Sequence, residues 1–358
     1  MAKDGHKLEV LLVSPLPPPE GGMQSWTKRY MEWSAPSHAL TVRLVDTAAA
    51  GRRALNPNAG RSLADEIGRS RNILGSLNRA LSMYQPDVVH LNSSCSKYGI
   101  IRDYLCAAAI KRKRLPLVVH CHCNVEDQID KSRWGPYFLR RLANLADLVL
   151  VLNETSQRYF EQVAGRECRR AANFIDEKYL LNTPKVFLPD IKTAIFVGHV
   201  YEKKGINEIL AAAQLLPGIE FIIAGPISPQ LSSAAIPNNV KMMAAVDNAT
   251  VMGLLDKADV FLFPSYSEGF SVALLEAMAR GVPCIATPVG ANRDMLEEQG
   301  GVLVRVGSVE DIVNAVNDLA PVSAREAMSH WNVRKVETKY TIDNVMNDLI
   351  NVYRDVTA

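Results

Sequence analysis

Two glutamates eight positions apart, Glu268 and Glu276, lie in the stretch 265-SYSEGFSVALLEAMARGVPCIATPVG-290. Glu268 follows an apolar run and precedes a Gly-Phe-Ser turn, whereas Glu276 lies inside an otherwise apolar helical segment. A carboxylate in such a segment costs folding free energy unless it has a partner. Carboxylates accept hydrogen bonds from vicinal hydroxyls, so a sugar or a ribose diol is the expected partner. The structural alternative is one acid that complements a helix dipole and one on a helix surface.

The backbone between the two glutamates predicts an anion site. The apolar run before Glu268 is typical of a buried strand, and the segment after Ser271 is typical of a helix. The amides of Gly269, Phe270 and Ser271 would then lie at a helix N-terminus, where the dipole and the open N–H groups favour an anion. Because a side chain leans toward the N-terminus of its helix, Glu276 would face the same ligand as Glu268.

Positive charge is predicted at another strand end, in 198-GHVYEKKG-205. His199, Lys203 and Lys204 follow a glycine that permits a close turn. A helix is predicted to start just after them, and a lysine beside a helix N-terminus can bind a diphosphate. A solvated lysine pair at a turn is the alternative.

A third candidate phosphate site, 17-PPPEGGMQSW-26, follows the first predicted strand. Gly21 and Gly22 would place bare backbone N–H groups at a helix start, which suits a phosphate. The pattern is not the G-x-G-x-x-G fingerprint of dinucleotide sites. A tight turn that needs positive φ is the alternative.

The run 119-VHCHCN-124 contains possible metal ligands. Strand alternation places His120 and His122 on one face and Cys121 and Cys123 on the other, so the four cannot converge on one ion. The sequence therefore predicts no metal site. His122 is expected at a strand end in a ligand cleft, and a hydrogen-bonded core histidine is the alternative.

Strands and helices alternate from end to end. Such alternation predicts an α/β protein with two Rossmann-like, doubly wound domains that face one another across a cleft, where ligands of open α/β sheets bind. Two prolines in 180-LLNTPKVFLPDIKT-193 suggest the boundary, which gives domains at 1–184 and 185–335. The amphipathic segment at about 336–358 either belongs to the second domain or packs back on the first.

The composition fits this division. A chain of 358 residues with 48% hydrophobic residues is too long for one ordinary core. It has no apolar run of the ~18 residues that span a bilayer. LEVLLVSPLPPP is expected to form a first strand rather than a signal peptide. Six cysteines without disulfide-like spacing predict reduced thiols and a cytoplasmic protein.

Charge is unevenly distributed along the chain. Residues 1–184 contain 26 Lys and Arg against 18 Asp and Glu, and residues 185–358 contain 14 against 20, so the balances are +8 and −6. The first half, with 111-KRKR-114, is expected to meet a membrane surface, nucleic acid or a phosphorylated acceptor. A solvated helix end is the alternative for the KRKR run.

Taken together, these motifs resemble a known family. EGFSVALLEAMARGVPCIATPVGANRDML resembles the E-x7-E region of retaining glycosyltransferases of the GT-B fold, family four, and GHVYEKKG resembles their G-R-L-x-x-x-K-G element. PPPEGG, PDVVHLN, VVHCHCN, ADLVLVLNE and NFID follow the family's order, so the resemblance runs from about residue 8 to residue 335.

The resemblance implies a role for each candidate residue. Glu268 would bind hydroxyls of the donor sugar, and Glu276 would bind the ribose diol of the nucleotide. Lys204 and the amides of Phe270 and Ser271 would hold the diphosphate. The remaining candidates are placed by the same resemblance: Gly22 would close over the diphosphate from the first domain, and His122 would lie near the transferred sugar.

Four positions depart from the family's pattern. His199 stands where an arginine is usual, which removes a permanent charge from the expected diphosphate site. Ser271 and Ala273 replace a glycine and a proline, and Ala291 replaces the second glycine of a pair.

The predicted function is transfer of a sugar, with retention, from a nucleotide-diphosphate sugar to a glycan or lipid-linked acceptor in cell-surface polysaccharide or lipopolysaccharide biosynthesis. No cofactor, metal or nucleic acid is expected, and the basic first domain suggests a peripheral location on the inner membrane face. A sugar-nucleotide 2-epimerase and a non-catalytic glycan-binding relative are the alternatives.

Overall fold

The structure is a computed structural model that describes residues 7–19, 21–36, 39–48, 62–228, 236–296 and 299–358. The chain divides into two compact units. The first comprises Met1–Asn173 together with Val345–Ala358, and the second comprises Phe174–Asn344. Glu20, part of the predicted PPPEGG motif, lies outside the described residues.

The first unit contains a parallel sheet of six strands among its described residues. Its strands are β1 (Leu8–Ser14), β2 (Leu40–Asp46), β3 (Val88–Ser93), β4 (Leu117–Cys121), β5 (Leu148–Val151) and β6 (Arg169–Arg170). Their order is β2-β1-β3-β4-β5-β6. Every residue of β3 and β4 is buried, as expected for central strands covered on both faces.

Helices of the first unit follow the strands in turn. They are α1 (Gly22–Ser34), α2 (Leu63–Met83), α3 (Gly99–Arg112), α4 (Val125–Ile129), α5 (Gly135–Ala143) and α6 (Glu154–Ala164). Asn153 caps α6, because its side chain accepts a hydrogen bond from the Ser156 amide at 2.7 Å. Leu77, Ile110 and Phe160 from three of these helices are at most 1% exposed.

The second unit repeats this plan. Its strands are β7 (Thr193–Val197), β8 (Glu220–Ala224), β9 (Val240–Met243), β10 (Val260–Phe263), β11 (Cys284–Ala286) and β12 (Gly301–Leu303). Its helices are α7 (Ile206–Leu215), α8 (Asn248–Lys257), α9 (Val272–Ala279), α10 (Asn292–Leu296), α11 (Val309–Asp318) and α12 (Val322–Lys339). The strand order is β12-β11-β10-β7-β8-β9, and all pairs are parallel.

The last helix, α13 (Ile342–Thr357), belongs mostly to the first unit. The Tyr353 hydroxyl lies 2.6 Å from His90 Nδ1 and 3.1 Å from the Tyr30 hydroxyl, and all three side chains are fully buried. Arg169 and Asp355 add an exposed ion pair at 2.7 Å. Of the two placements that the sequence leaves open, this end of the chain packs on the first unit.

The segment before residue 185 is part of the second unit. The Ile175 amide donates to the Tyr340 carbonyl at 2.9 Å, and the Ile342 amide donates to the Ile175 carbonyl at 3.0 Å. The predicted boundary after residue 184 therefore lies inside the second unit, because these backbone contacts join segments that are distant in sequence.

Each sheet has a point where the strand order reverses, between β1 and β3 in the first unit and between β7 and β10 in the second. Loops that leave neighbouring strands in opposite directions open a crevice at such a point, at the carboxyl ends of the strands. The loops that follow these four strands are therefore where ligand-binding residues are expected.

Candidate active site

In the second unit, the reversal point brings together two predicted site residues. Lys204 follows β7 and Glu268 follows β10, which are paired neighbours in the sheet. Lys204 Nζ and Glu268 Oε1 form an ion pair, although the residues are 64 positions apart. Their side chains are only 16% and 10% exposed, so both charges are partly removed from water and depend on each other or on a ligand.

A glycine fixes the loop that carries Lys204. Gly205 has φ +74°, and a Cβ on it would lie 2.2 Å from the Pro264 carbonyl oxygen. The short 3-10 turn Glu202–Lys204 is thus pressed against the end of β10. The Tyr266 amide donates to the Lys203 carbonyl at 2.9 Å and ties the two loops together.

The backbones at the ends of β7 and β8 lie in close contact. Gly198 and Gly225 have φ of +149° and +146°, and a Cβ on Gly225 would lie 1.9 Å from the Gly198 carbonyl oxygen. His199 follows directly and is exposed. The predicted cationic loop is therefore built on a close contact that only glycines permit.

The loop before α9 is fixed by polar side chains. Ser271, the residue before the helix, donates its hydroxyl to Asn292 Oδ1 at 2.7 Å instead of capping the helix. Asn292 Nδ2 donates to the Thr287 carbonyl at 3.1 Å, and the Thr287 hydroxyl donates to the Ser265 carbonyl. Ser271 thus holds the loop in place.

The backbone of Glu268 and Gly269 also packs against the loop after β11. A Cβ on Gly290, whose φ is +56°, would lie 2.2 Å from the Glu268 carbonyl oxygen. The Ala291 amide donates to the Gly269 carbonyl at 3.0 Å. The orientation of Glu268 is thereby set by contacts on both sides of its loop.

The other two candidates of this loop and helix are less enclosed. Phe270 is half-buried, and its ring meets the Tyr340 ring edge to face at 5.8 Å between centroids. Glu276 is half-buried in the middle of α9.

In the first unit, a cavity of about 340 Å³ lies at the reversal point of the sheet. Its polar lining includes Asn92 and Ser94 from the end of β3, Arg69, Arg102 and His122. Gly22 begins α1, and the two residues after it, Met23 and Gln24, line the cavity. Gly21 is extended, with φ 177°, so the alternative of a positive-φ turn at this glycine is wrong.

The charged side chains that line this cavity are Arg69, Arg102 and Glu66. Arg102 donates to Asp103 Oδ1 through Nε and Nη2, at 3.0 and 2.8 Å. Arg69 donates to the Thr47 carbonyl at 2.5 Å, and Glu66 lines the same cavity. Hydrogen-bond donors and acceptors therefore stand side by side, as a hydroxylated ligand requires.

His122 lies at the rim of β4 and is half-buried. Its Nε2 lies 3.0 Å from Asn92 Oδ1, and its ring centroid is 3.9 Å from that of His120 and 4.9 Å from that of Trp26. Burial lowers the pKa of His122 to about 3, with a further contribution from His90, so the imidazole is neutral at physiological pH. The prediction that His120 and His122 share a face is confirmed.

Within the described ranges, no group of three or more histidine, cysteine, aspartate or glutamate side chains is arranged to hold a metal ion. Within the same ranges, no helix combines the length and the apolar character that a bilayer crossing requires.

Two family models match consecutive parts of the chain. "Glycosyl transferase 4-like domain" matches residues 1–172, and "Glycosyl transferases group 1" matches residues 184–329. The chain belongs to the group 1 glycosyltransferases.

Relatives of this glycosyltransferase include enzymes of glycolipid and cell-surface polysaccharide synthesis. It is 28% identical over 242 residues to a processive diacylglycerol alpha-glucosyltransferase of Acholeplasma laidlawii. The aligned region covers 61% of this chain and 70% of the relative. It is 25% identical over 250 residues to the teichuronic acid biosynthesis glycosyltransferase TuaC of Bacillus subtilis, a putative assignment for that protein, with 64% and 60% covered. The match to the capsular polysaccharide glycosyltransferase CapM of Staphylococcus aureus is 25% identical and spans 51% of this chain and about half (49%) of the relative.

Solved structures confirm the fold of this glycosyltransferase. Sucrose-phosphate synthase of Thermosynechococcus elongatus superposes with a TM-score of 0.76 at 16% identity, over 98% of this chain and 99% of the other. The lipopolysaccharide outer core galactosyltransferase WaaB, in its apo form, gives 0.72 at 16% identity over 97% and 100%. The predicted pair of Rossmann-like units of GT-B type is thus confirmed.

Sequence reasoning missed the residues that support the site of the glycosyltransferase. Asn292 and Gly290 flank Ala291, where the motif indicates only the missing second glycine. Asn92 lies in β3, whose apolar sequence is typical of a buried strand. The signal for Asn292 in the sequence is an asparagine that directly follows two small residues, and it is the first residue of α10.

Proposed function

We propose that this glycosyltransferase transfers a sugar, with retention of anomeric configuration, from a nucleotide-diphosphate sugar to a glycan or lipid-linked acceptor of the cell surface. The observation that carries the proposal is the Lys204–Glu268 pair at the reversal point of the second sheet. One cation and one hydroxyl-binding carboxylate, held together at a crevice, match the two ends of a sugar diphosphate.

The donor is held by the loops of the second unit. Glu268 accepts hydrogen bonds from the sugar hydroxyls, and Glu276 accepts them from the ribose diol. Lys204 and the amides of Gly269, Phe270 and Ser271 bind the diphosphate at the start of α9. His199 also contacts the diphosphate, from the loop after β7.

Departure of the nucleoside diphosphate requires stabilisation of charge that grows on the leaving phosphate. Lys204 and the N-terminus of α9 supply fixed positive potential there, so the mechanism needs no metal. The leaving phosphate accepts the proton of the incoming acceptor hydroxyl, which attacks from the same face. Glu268 remains a hydroxyl ligand and forms no covalent bond to the sugar.

The acceptor occupies the cavity of the first unit. Its lining offers guanidinium, carboxylate and hydroxyl groups to a polar ligand. His122 accepts a hydrogen bond from a substrate hydroxyl at the rim of the cavity. Lipid-linked acceptors would reach it at the cytoplasmic face of a membrane, where the basic residues of this part of the chain meet anionic headgroups.

A panel of nucleotide sugars tests the donor. UDP-glucose, UDP-galactose, UDP-N-acetylglucosamine and GDP-mannose are compared by thermal shift, and the anomeric configuration of the product is read by proton NMR. Stabilisation by none of them, or an inverted product, contradicts the proposal.

Isosteric variants test the two glutamates separately. Glu268→Gln should abolish transfer but retain nucleotide affinity, whereas Glu276→Gln should weaken UDP binding about tenfold because one charge-assisted hydrogen bond is lost. Glu310→Gln, an exposed position on α11, is the matched control. Full transfer by Glu268→Gln, measured with radiolabelled donor, rules out its assigned role.

Sedimentation with vesicles tests the membrane contact. The protein should pellet with vesicles that contain phosphatidylglycerol and remain in the supernatant with phosphatidylcholine alone. Equal partitioning would remove the membrane from the proposal but not the transfer reaction.

A further inference from the structure

A line of hydrogen bonds runs through buried side chains from His122 to helix α1. His122 Nε2 lies 3.0 Å from Asn92 Oδ1, and Asn92 Nδ2 lies 2.8 Å from Ser14 Oγ. Ser14 Oγ is 2.5 Å from Thr27 Oγ1, which donates to the Met23 carbonyl at 2.8 Å. Ser14 and Thr27 are fully buried and Asn92 is 3% exposed, so water does not compete for these groups.

The direction of every hydrogen bond in this line follows from the bond at its α1 end, which the Met23 carbonyl accepts. A carbonyl oxygen can only accept, so the Thr27 hydroxyl donates to Met23, and its oxygen then accepts from the Ser14 hydroxyl. Ser14 Oγ in turn accepts from the amide nitrogen of Asn92. The amide oxygen of Asn92 must therefore face His122, and an oxygen there can only accept from Nε2.

We propose that Asn92 is a positioning residue that holds His122 in its Nε2–H tautomer, which leaves Nδ1 as the acceptor for a substrate hydroxyl. The inference rests on the proposed function in one respect, the contact between His122 and substrate. The tautomer itself follows from the hydrogen bonds alone.

The surroundings of His122 keep its ring neutral, so the tautomer decides which ring nitrogen can accept a hydrogen bond. The rings of His120 and Trp26 pack on it, and the first of these is itself kept neutral because burial lowers its pKa. The charged side chains that line the same cavity are Glu66, Arg69 and Arg102. Because burial also lowers the pKa of His122 to about 3, the ring is neutral in the working range of pH. A neutral imidazole has one donor and one acceptor, and Asn92 decides which nitrogen is which.

Nitrogen-15 NMR of selectively labelled histidines reads the tautomer without any ligand, and His122→Gln assigns the signal. The wild-type chain should show the Nε2–H form. Asn92→Leu, which keeps the volume but cannot accept, should add the Nδ1–H form. Thr27→Val should do the same more weakly because it frees the Ser14 hydroxyl to turn, and Thr341→Val, the same change at another buried threonine, should leave the spectrum unchanged.

Enzyme kinetics then distinguish a positioning role of Asn92 from a packing role. Turnover is measured with whichever of UDP-glucose, UDP-galactose, UDP-N-acetylglucosamine and GDP-mannose the wild type uses. Asn92→Leu should lower kcat about tenfold at every pH, since one hydrogen bond in the transition state is lost. Asn92→Asp still accepts from Nε2, so it should restore kcat to within about threefold at high pH.

The Asp variant should also gain a pH dependence that the wild type lacks. A carboxylate beside the ring raises the pKa of His122 above its wild-type value. As the pH falls through this raised pKa, Nδ1 takes up a proton, can no longer accept, and kcat falls; above it, kcat recovers. The wild-type kcat should show no such step from this group.

Two outcomes are decisive in different ways. A wild-type spectrum with the Nδ1–H form, or Asn92→Leu and Thr27→Val spectra identical to wild type, overturns the inference about Asn92. A changed tautomer with unchanged kcat leaves that inference standing but removes His122 from the proposed substrate contact.

Discussion

At the scale of residues, the ion pair between Lys204 and Glu268 has two functions. Without a ligand, each group neutralises the other in a partly dry site where an unpaired charge would be costly. With a donor bound, the proposal assigns the two groups to a phosphate and to a sugar. The pair keeps both side chains ordered before binding, so less conformational entropy is lost when the donor arrives.

A double-mutant cycle measures this pair. Lys204→Met and Glu268→Gln should each lower the free energy of unfolding by about 1–3 kcal/mol, because each leaves a partly buried polar group without its partner. The double variant should lose less than the sum, with a coupling free energy above about 0.5 kcal/mol. Urea unfolding gives the three values, and strict additivity would show that the pair does not stabilise the fold.

His199 offers a second test at this scale, since the resemblance of GHVYEKKG to the G-R-L-x-x-x-K-G element implies an arginine at this position. His199→Arg should tighten UDP binding about tenfold, because a permanent guanidinium adds a charge-assisted hydrogen bond to the diphosphate. Isothermal titration calorimetry checks this. An unchanged affinity would place His199 away from the phosphates.

At the scale of elements, glycines control how closely the loops of the second unit approach one another. Gly205, Gly225 and Gly290 have positive φ, and a Cβ on each would lie within 2.2 Å of a backbone oxygen. Strand ends can supply bare amides to a phosphate only where side chains are absent on the facing loops. The loop positions are therefore set by backbone contacts, and the functional side chains follow from them.

Gly205→Ala tests this control. The new methyl group would meet the Pro264 carbonyl and the residue would keep an unfavourable φ, so we expect a loss of about 1–3 kcal/mol in the free energy of unfolding, together with weaker UDP binding as Lys204 shifts. Gly253→Ala, inside α8 with no atom within 4 Å of the new Cβ, should instead stabilise by about 0.5–1 kcal/mol. Urea unfolding of both variants makes the comparison, and similar effects would contradict it.

At the scale of the whole molecule, the first unit is built from two separate stretches of chain. Its sheet and helices come from residues up to Asn173, and its last helix comes from Val345–Ala358. Tyr353 from this helix contacts Tyr30 and His90 behind the histidines of the candidate site. The order of the histidine cluster therefore depends on the end of the chain.

A chain that stops at residue 344 should lose stability in its first unit only. Removal of the fully buried Tyr353 ring alone should cost about 3–5 kcal/mol there. Hydrogen exchange measured by mass spectrometry should show lost protection in α1 and β3 and unchanged protection in β7 and β10. Equal loss in both units would show that the segment stabilises the whole molecule.

Local patterns were sufficient to predict the strands, the helices and the loops that carry the candidate residues, because apolar runs and glycine turns are local signals. The Lys204–Glu268 pair could be expected from two motifs at the same edge of a sheet. The line from His122 through Asn92 to Thr27 could not, since it joins four elements that only the fold brings together. The boundary near residue 173 could not be predicted for the same reason, because the backbone hydrogen bonds of Ile175 join it to residues 340 and 342.

Because the first unit is made of two separate stretches of chain, it cannot be completed early in synthesis on the ribosome. At ~5–20 residues per second, roughly ten to thirty seconds separate the emergence of Asn173 from that of Val345. Throughout that interval His90 on β3 and Tyr30 on α1 lack the Tyr353 hydroxyl that later contacts both. The second unit can fold while the first still lacks Val345–Ala358. The first unit is therefore completed after the second, although its sheet is synthesised before it.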